Sequence, residues 1–445
     1  MPAAIDQIES FLDEKKALAC VHCGLCLASC PTYLETGNEN DSPRGRIYLM
    51  RSIQQGRLSL DASVSPADHI DRCLGCRACE TACPSGVQYG ALLEHTRDHM
   101  EHAMRRSWFQ RLLRRVMIEK VFPFPNRFRL ALIPAVWANR MDIGHLLPRF
   151  MREALKLAPQ SLELRNLPEF SPAETIPSKG RIGLVSGCVM PVLFGGTHQS
   201  TIRLLNRLGY DVVIPRDQVC CGALYAHSGQ LEMARGVARV NLSAFEQAEC
   251  DTVLINAAGC GSTLKEYHHL LAADPQHHDA AEQFVGKVRD LSEWMDEVGW
   301  EALGRVLEKG RRLVSGEKTA APASLFRLPT TFHDACHLAH AQGITRQPRD
   351  LVKAVAGENY VELPESEICC GSAGSYNLTE PEMAGRLQRR KVSHILKTQA
   401  HIVVTTNPGC ILQIESGLKE HGYDEVRVMH LADYLEAALR EIENH

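Results

Sequence analysis

The sequence has no long hydrophobic run and no excess of charge of one sign. The most apolar stretch, residues 128–138, contains Pro134, and three arginines lie within or beside it. A membrane-spanning helix needs about 20 apolar residues, so none is predicted. Lys and Arg number 49 and Asp and Glu number 53, for a net charge of −4. This balance gives no argument for nucleic-acid binding.

The sequence also lacks the signatures of a chain that performs chemistry on an organic substrate. Residues 183–187 precede a helical pattern, but they do not form the G-x-G-x-x-G fingerprint of a flavin or nicotinamide site. No paired catalytic carboxylates and no nucleophile–base pattern stand out. We therefore predict no catalytic residue on this chain, and we expect substrate chemistry to lie on another polypeptide.

A secretion signal is missing as well, whereas cysteine is abundant. Residues 1–16 are acidic and amphipathic, without a basic or an apolar region of the kind that signal peptides carry. The 17 cysteines are therefore expected to be metal ligands in the reducing cytoplasm rather than a disulfide framework. Sixteen of them fall into ligand-like spacings. Cys250 stands alone and is expected to be a core or surface thiol.

Two cysteine runs near the N-terminus share the spacing C-x-x-C-x-x-C-x-x-x-C-P. This is the spacing of bacterial ferredoxins with two [4Fe–4S] clusters, in which the fourth cysteine of each run ligates the other cluster. The first predicted cluster is held by Cys20, Cys23, Cys26 and Cys83, and the second by Cys73, Cys76, Cys79 and Cys30.

The local residues suit this assignment. Gly24 and Gly75 can relieve crowding where the backbone approaches a cluster, and Pro31 and Pro84 fix the chain direction after the fourth ligand. A pair of zinc sites is the alternative, but zinc sites usually use separated C-x-x-C pairs instead of a triple run. The spacing is therefore specific for the cofactor, although it says little about the reaction served.

The second half of the sequence contains an internal duplication of four cysteines. The offsets between matching cysteines are 148 to 150 residues, and the segments around the Cys-Cys-Gly triplets agree. We call residues 181–318 the first CCG unit and residues 319–445 the second CCG unit. Their predicted sites are Cys188, Cys220, Cys221 and Cys260 in the first, and Cys336, Cys369, Cys370 and Cys410 in the second.

Each unit alternates short apolar strands with helical patterns, which predicts a small α/β fold with a parallel sheet. The cysteines follow the strands, and the carboxyl ends of parallel strands meet at one edge of a sheet. Each set could hold a further [4Fe–4S] cluster. Buried packing and a redox-active disulfide are the alternatives. His227, His333 and His337 lie near these sites and are expected to be core or hydrogen-bonding histidines.

The sequence thus predicts a multidomain α plus α/β protein. Residues 1–105 form a helical ferredoxin-type domain, in which Ser42 caps a helix that begins at Pro43. Residues 106–180 form a helical segment and a proline-rich linker, and the two CCG units follow. Residues 128–138 are expected to form a helix pair packed on the cluster domain. A peripheral membrane contact, made by an apolar face with basic flanks, is the alternative.

Several segments carry a resemblance to a known family. They are C-V-H-C-G-L-C-L-A-S-C-P-T-Y from Cys20, S-P-R-G-R-I-Y-L from Ser42, D-R-C-L-G-C-R-A-C-E-T-A-C-P-S-G from Asp71, and C-C-G-S-A-G-S-Y from Cys369. In order and spacing they resemble the iron–sulfur subunit of glycolate oxidase over nearly the whole chain. The resemblance implies FAD-containing partner subunits that oxidise glycolate to glyoxylate. This chain would pass the electrons to a respiratory acceptor such as quinone, at the cytoplasmic face of the inner membrane.

One departure from the wider family bears on the alternatives. In heterodisulfide-reductase-type CCG domains the last cysteine begins a C-x-x-C pair, but Gly261, Ser262 and Thr263 follow Cys260 here. Cys410 is likewise followed by no second cysteine. The missing fifth cysteine disfavours a thiol–disulfide enzyme. The equivalent subunit of a lactate or anaerobic glycerol-3-phosphate dehydrogenase remains an alternative.

Overall fold

The structure is a computed structural model that describes residues 10–61, 65–104, 112, 115–141, 155, 166–316 and 324–444. The expected domain boundaries at residues 105/106 and 318/319, and much of the expected helical segment 106–180, lie outside the described residues. Those boundaries therefore stay predictions.

The N-terminal region is helical, as predicted. Its helices are α1 (Glu14–Leu18), α2 (Pro31–Thr36), α3 (Pro43–Gln54), α4 (Pro66–Asp71), α5 (Ala78–Thr81) and α6 (Tyr89–Ala103), with a 3-10 turn at Glu39–Asp41. Helices α2, α3 and α4 each have proline in the first turn, where its missing N–H costs nothing. The Ser42 hydroxyl accepts a hydrogen bond from the Gly45 N–H at 3.0 Å, which confirms the predicted cap.

Apolar faces of these short helices form one small core. Ile47 and Met50 of α3, Ile70 of α4, and Leu92 and Met100 of α6 are buried together. Both cysteine runs border this core, because Cys20, Cys79 and Cys83 pack against it and Cys73 lies inside it. The helices therefore serve as a support for the two cysteine loops.

The segment before the first CCG unit differs from the expectation. A π-helical turn, Arg115–Val121, precedes a single helix, α7 (Pro125–Arg140), so the described part is not a helix pair. Ile118 is buried among Tyr225, Ala226 and Leu231. Helix α7 contacts the turn and residues 190–193. The described part of this segment therefore packs on the first CCG unit, because its buried side chains meet an apolar surface there.

The first CCG unit is built on a five-stranded sheet in the order β1-β3-β2-β4-β5. All neighbouring strands are parallel except β1, an edge strand antiparallel to β3. The strands are β1 (Phe170–Ser171), β2 (Arg181–Leu184), β3 (Asp211–Val213), β4 (Thr252–Ile255) and β5 (Val288–Asp290). The apolar residues of β2 and β4 are buried on both faces, as in other parallel sheets covered by helices.

The second CCG unit repeats this arrangement in reduced form. Its parallel sheet has the order β6-β7-β8, with β6 (Thr330–Phe332), β7 (Ile402–Thr405) and β8 (Arg427–His430). An isolated parallel bridge between Thr330 and Tyr360 stands where β3 lies in the first unit. The duplication read from the cysteines thus extends to the strand order.

Helices cover both sheets. In the first unit they are α8 (Met190–Leu193), α9 (Gly195–Arg207), α10 (Ala223–His227), α11 (Leu231–Gln247), α12 (Ala258–Leu264), α13 (Tyr267–Leu270), α14 (His278–Lys287), α15 (Leu291–Val298) and α16 (Glu301–Gly316). In the second they are a π-helical turn at His337–Ala341, α17 (Arg346–Ala356), a 3-10 turn at Gly357–Asn359, α18 (Tyr376–Thr379), α19 (Pro381–Lys397), α20 (Pro408–Glu420) and α21 (Leu431–Glu443).

The two units share one large hydrophobic core. Ile202 and Leu205 of α9 are buried in the same cluster as Tyr434 and Leu435 of α21 and Phe332 of β6. The predicted fold class, a helical ferredoxin-type region followed by two α/β units, is confirmed.

Candidate metal centres

The two ferredoxin-type loops have the same backbone conformation. The residues before and after the middle cysteine have positive φ in both loops: His22 and Gly24 around Cys23, and Gly75 and Arg77 around Cys76. The predicted need for glycine at positions 24 and 75 is explained by these angles. Sequence reasoning missed His22 and Arg77, which adopt the same conformation without being glycine.

The four cysteines predicted for the second cluster surround one space. Cys30, Cys73, Cys76 and Cys79 line one small cavity, partly open to solvent, together with Arg46 and Tyr89. Cys30 comes from the first run and the other three come from the second. The crossed grouping expected from the spacing is therefore the grouping that the fold brings together.

Arg46 is a buried cation beside this cavity. Its Nη1 donates to Thr32 Oγ1 at 3.0 Å and lies 3.9 Å from Cys30 Sγ, while its Nε donates to the His69 carbonyl. Burial disfavours the charged guanidinium and lowers the pKa of Arg46. The negative charges of Cys73, Cys30 and Asp41 have the opposite effect and outweigh burial, so the pKa of Arg46 is raised. Among the described residues Nη2 has no hydrogen bond. Nη2 forms an ion pair with the buried Asp41 carboxylate at 3.6 Å. A buried cation paired with one carboxylate thus lies beside the cysteine cavity, a feature that the sequence analysis missed.

The thiols around this cavity differ in acidity. Burial raises the pKa of Cys76 and of Cys79 well above the usual value for cysteine. At Cys73 burial acts in the same direction, but Arg46, Arg97 and hydrogen bonds outweigh it and lower the pKa. The Gly75 N–H lies 3.4 Å from Cys73 Sγ. Donors and cations aimed at sulfur are what a thiolate ligand requires.

The cysteines predicted for the first cluster lie nearer the surface. Cys23 is exposed, and Cys20, Cys26 and Cys83 are partly buried. Cys26 has a raised pKa, mainly because of burial and with a contribution from Cys20. Cys83, from the second run, packs on the same apolar core as Cys20.

In the first CCG unit, cysteines from two loops and from the first turn of α12 meet beyond the carboxyl ends of the strands. Cys188 Sγ and Cys220 Sγ are 3.5 Å apart, and Cys221 lies against both Cys220 and Cys260. Hydrogen bonding to Cys188 and Cys221 lowers the pKa of Cys220. The Cys-Cys pair reaches one site because Gly222, at φ +89°, turns the chain directly after it.

Two further side chains, missed by sequence reasoning, fix this turn. The Asn241 amide donates to the Cys220 carbonyl at 3.1 Å and accepts from the Val219 N–H at 2.9 Å. The Tyr267 hydroxyl donates to the Cys221 carbonyl at 2.8 Å. No motif marks these residues, because only the fold brings them to the loop.

The second CCG unit forms the corresponding site. Cys369 lies against Cys336 and Cys370, and Cys370 lies against Cys410. Gly371, at φ +93°, repeats the turn of Gly222. At the position of Asn241 in the matching helix stands buried Lys391, whose ammonium donates to the Glu365 and Ser366 carbonyls.

The three histidines near these sites behave differently. His337 has partners at both ring nitrogens, the Gly75 carbonyl at 3.0 Å and Ser262 Oγ at 2.9 Å. His227 Nδ1 pairs with Glu94 at 3.0 Å. These two are hydrogen-bonding histidines, as expected. His333 is buried but, within the described ranges, neither of its ring nitrogens has a hydrogen bond of good geometry, although the Ser366 backbone lies close to the ring.

The donor chemistry of the four predicted sites fits iron–sulfur clusters. All 17 cysteines are free thiols, so no disulfide competes for them. Cys250 is a buried core thiol that contacts the Phe245 carbonyl, in agreement with its expected isolation. The other 16 lie in the groups described above, and grouped free thiols suit the thiolate ligation of iron.

Comparison with known proteins identifies the family. Residues 16–87 match the "4Fe-4S dicluster domain" family, and residues 182–265 and 330–415 match the "Cysteine-rich domain" family. A probable glycolate oxidase iron-sulfur subunit of Bacillus subtilis is 37% identical, over 97% of this chain and 96% of the relative. The glycolate oxidase iron-sulfur subunit of Escherichia coli is 34% identical, over 95% and 94%. The chain belongs to the family of glycolate oxidase iron–sulfur subunits.

Membership in this family confirms the predicted resemblance, the [4Fe–4S] class of cofactor and the role of an iron–sulfur electron-transfer subunit. The alternatives are not better supported. Lactate utilization protein A of Oceanobacillus iheyensis is 28% identical, over 57% of this chain and 96% of the relative. Within the described ranges, no helix has the length and hydrophobicity needed to cross a membrane.

Proposed function

We propose that the chain is the electron-transfer subunit of a flavoprotein complex that oxidises glycolate to glyoxylate. FAD-containing partner subunits perform the oxidation, and this chain passes the electrons towards a respiratory quinone. The observation that carries the proposal is the full-length relationship to glycolate oxidase iron–sulfur subunits. The lack of a dinucleotide fingerprint in the sequence supports a separate flavin subunit.

We assign the cluster ligands from the groups of cysteines described above. The first cluster is assigned to Cys20, Cys23, Cys26 and Cys83, and the second to Cys30, Cys73, Cys76 and Cys79. The shared cavity of the second set supports the crossed assignment. Each CCG unit is assigned one further cluster, at Cys188, Cys220, Cys221 and Cys260, and at Cys336, Cys369, Cys370 and Cys410. When bound, the clusters accept and release single electrons.

The packing of the cluster domain on the second CCG unit supports a direct electron route. Leu74 and Cys76 are buried in one apolar cluster with Cys369 and Met383. Cys336 is also close enough to Cys76 to raise the pKa of Cys76 by like-charge repulsion. The second ferredoxin-type site and the second CCG site are therefore neighbours, and electrons can pass between them without an intervening protein.

The exposed edge of the first cluster loop suits a redox partner. Leu18, Val21 and Leu25 are 54%, 68% and 61% exposed, beside the exposed ligand Cys23. An apolar rim around a cluster that lies near the surface favours close docking of another protein. We assign this rim to the flavoprotein partner.

Helix α7 supports a peripheral contact with the membrane that holds the acceptor. Leu130, Ile133, Trp137 and Met141 follow one another at helical spacing and are 48–63% exposed. Three exposed arginines and no acidic residue belong to the helix. An apolar stripe with basic flanks suits an anionic lipid surface, and we propose that this surface is the cytoplasmic face of the inner membrane. Trp137→Glu should weaken sedimentation with phosphatidylglycerol vesicles, and unchanged sedimentation would contradict the contact.

Metal analysis of protein purified without oxygen tests the cluster assignment. Sixteen irons per chain are expected if all four sites hold [4Fe–4S] clusters, and about eight would restrict them to the ferredoxin-type region. Cys221→Ser and Cys370→Ser should each lower the iron content, whereas the matched control Cys250→Ser should not. A full iron content in both of the first two variants would contradict clusters in the CCG units.

A further inference from the structure

The two CCG sites are not equivalent, although the units are duplicates. Val185 and His333 occupy the same position, because each N–H donates at 2.9 Å to matching carbonyls of β4 and β7, at Leu254 and Val404. The first unit therefore has an isopropyl group where the second has an imidazole. The matching helices differ as well, because α11 has Asn241 where α19 has Lys391.

His333 is buried without the partners that the other buried histidines have. It is 0% exposed, and in the described part of the chain neither ring nitrogen forms a hydrogen bond of good geometry, although the Ser366 backbone lies close to the ring. His198 and His430 are also buried, but they bond to the Ser186 carbonyl at 2.9 Å and the Asn256 carbonyl at 2.7 Å. Buried polar groups are nearly always satisfied, so an unpartnered imidazole indicates a missing partner.

The surroundings of His333 identify the kind of partner. One ring nitrogen and the sulfurs of Cys370 and Cys410 all lie within 4.8 Å of one another. The Lys391 side chain is close to the ring as well, and an imidazole that carries one proton keeps one lone pair for a metal. A neutral imidazole between two thiols is a ligand set for a transition metal.

We propose that His333 is a metal ligand of the second CCG site, where it binds through a ring nitrogen beside Cys370 and Cys410. The second site is then a mixed nitrogen–sulfur centre, whereas the first site offers sulfur alone. This inference rests on the proposed presence of metal in the second CCG unit. Both an iron of a cluster and Zn²⁺ accept this ligand set, and the experiment separates them.

A mixed centre also has a consequence for electron transfer. Four irons take four terminal ligands, so His333 on a cluster iron takes the place of one of the four assigned cysteines. A neutral imidazole there, instead of an anionic thiolate, reduces the negative charge at the metal, as His ligation does in Rieske centres, where it raises the potential. The buried Lys391 ammonium acts in the same direction. If the metal is iron, the second CCG cluster is expected to have a higher reduction potential than the first, which makes it the better electron acceptor.

The test uses the full chain, purified without oxygen from cells supplied with ¹⁵N-histidine, and pulsed electron paramagnetic resonance with iron and zinc analysis. An iron site predicts a histidine nitrogen coupling on a reduced cluster, which is lost in His333→Val, the residue of the first unit. A zinc site predicts about one zinc per chain, lost in the same variant. His198→Gln, a buried and hydrogen-bonded histidine, is the matched control and should change neither.

The outcomes separate this inference from the proposed loading of the CCG units. Wild-type protein with no histidine coupling and no zinc overturns the His333 assignment, whether or not the variant folds. If wild-type protein shows neither a histidine coupling nor zinc, but Cys370→Ser loses iron, the second CCG site holds a cluster and only the histidine assignment fails. If wild-type protein carries about eight irons and no zinc, the loading proposal fails together with it.

Discussion

Cys30 is the residue on which the cluster assignment depends most. It belongs to the first cysteine run in sequence, yet its thiol lines the cavity formed by Cys73, Cys76 and Cys79. The spacing alone predicted this exchange, because the motif encodes both the loop and the direction of the helix that follows. Arg46 could not be predicted, since its partners Thr32, Asp41 and His69 meet it only in the folded helical region.

Cys30→Ser should therefore damage the second cluster and leave the first intact. Low-temperature electron paramagnetic resonance of the reduced variant measures which signal is lost. Cys250→Ser is the control, because Cys250 lies outside every cysteine group. Loss of the first cluster, with the second intact, would refute the crossed assignment.

Arg46→Met should lower the reduction potential of the second cluster. A buried positive charge stabilises the more negative, reduced form of a cluster, so its removal makes reduction harder. We expect a decrease of roughly 60 mV, which corresponds to about 1.4 kcal/mol for a one-electron couple. Redox titration followed by electron paramagnetic resonance measures the shift. Arg51→Met, further along α3, should change the potential little; equal shifts in both variants would contradict a specific role for Arg46.

At the scale of elements, the turn after each Cys-Cys pair decides whether four thiols can meet. The order of β2, β3 and β4 and of the helices between them was predictable from apolar periodicity, and the second unit from the cysteine offsets; β1, β5 and β8 were not predicted. Other features were not predictable. The strand β3 shrinks to a single bridge at Tyr360 in the second unit, and the segment 115–141 packs on the first CCG unit, because both depend on contacts distant in sequence.

Gly371→Ala should destabilise the second CCG unit by about 1 to 3 kcal/mol. Gly371 has φ +93°, and a Cβ there would lie 2.6 Å from the Ala384 carbonyl oxygen of α19. Gly385→Ala in the same helix is the matched control, because its Cβ would meet only the flexible end of Arg389. That change should stabilise the helix slightly. Chemical unfolding without oxygen measures both; equal stability of the two variants would contradict the strained turn.

At the scale of the whole molecule, the cluster domain is held against both CCG units by polar contacts. Arg77 pairs with Glu266 of the first unit, and the Gly75 carbonyl pairs with His337 of the second. The Tyr376 hydroxyl donates to the Arg72 carbonyl at 2.8 Å. These contacts hold the loop of the second cluster against both CCG units, while the first cluster loop has exposed apolar side chains that a partner can contact.

Val21→Glu together with Leu25→Glu should slow electron transfer from the flavoprotein partner by an order of magnitude or more, because about 1.4 kcal/mol of docking energy is a factor of ten. Cluster content should be unchanged, since both side chains point to solvent. Stopped-flow measurement of cluster reduction provides the rate. Ile176→Glu, at a fully exposed site in the linker, is the control. A rate unchanged by the double substitution would show that the partner docks at another surface.

The central claim is that this chain carries electrons from a glycolate-oxidising flavoprotein and does not oxidise glycolate itself. Glycolate is added without oxygen to the isolated chain, and then to the chain with its flavoprotein partner, and cluster reduction is followed by electron paramagnetic resonance. The account predicts no reduction and no glyoxylate from the chain alone, and reduced clusters once the partner is present. Glyoxylate formation by the chain alone, or clusters that stay oxidised while the partner turns over, would contradict it.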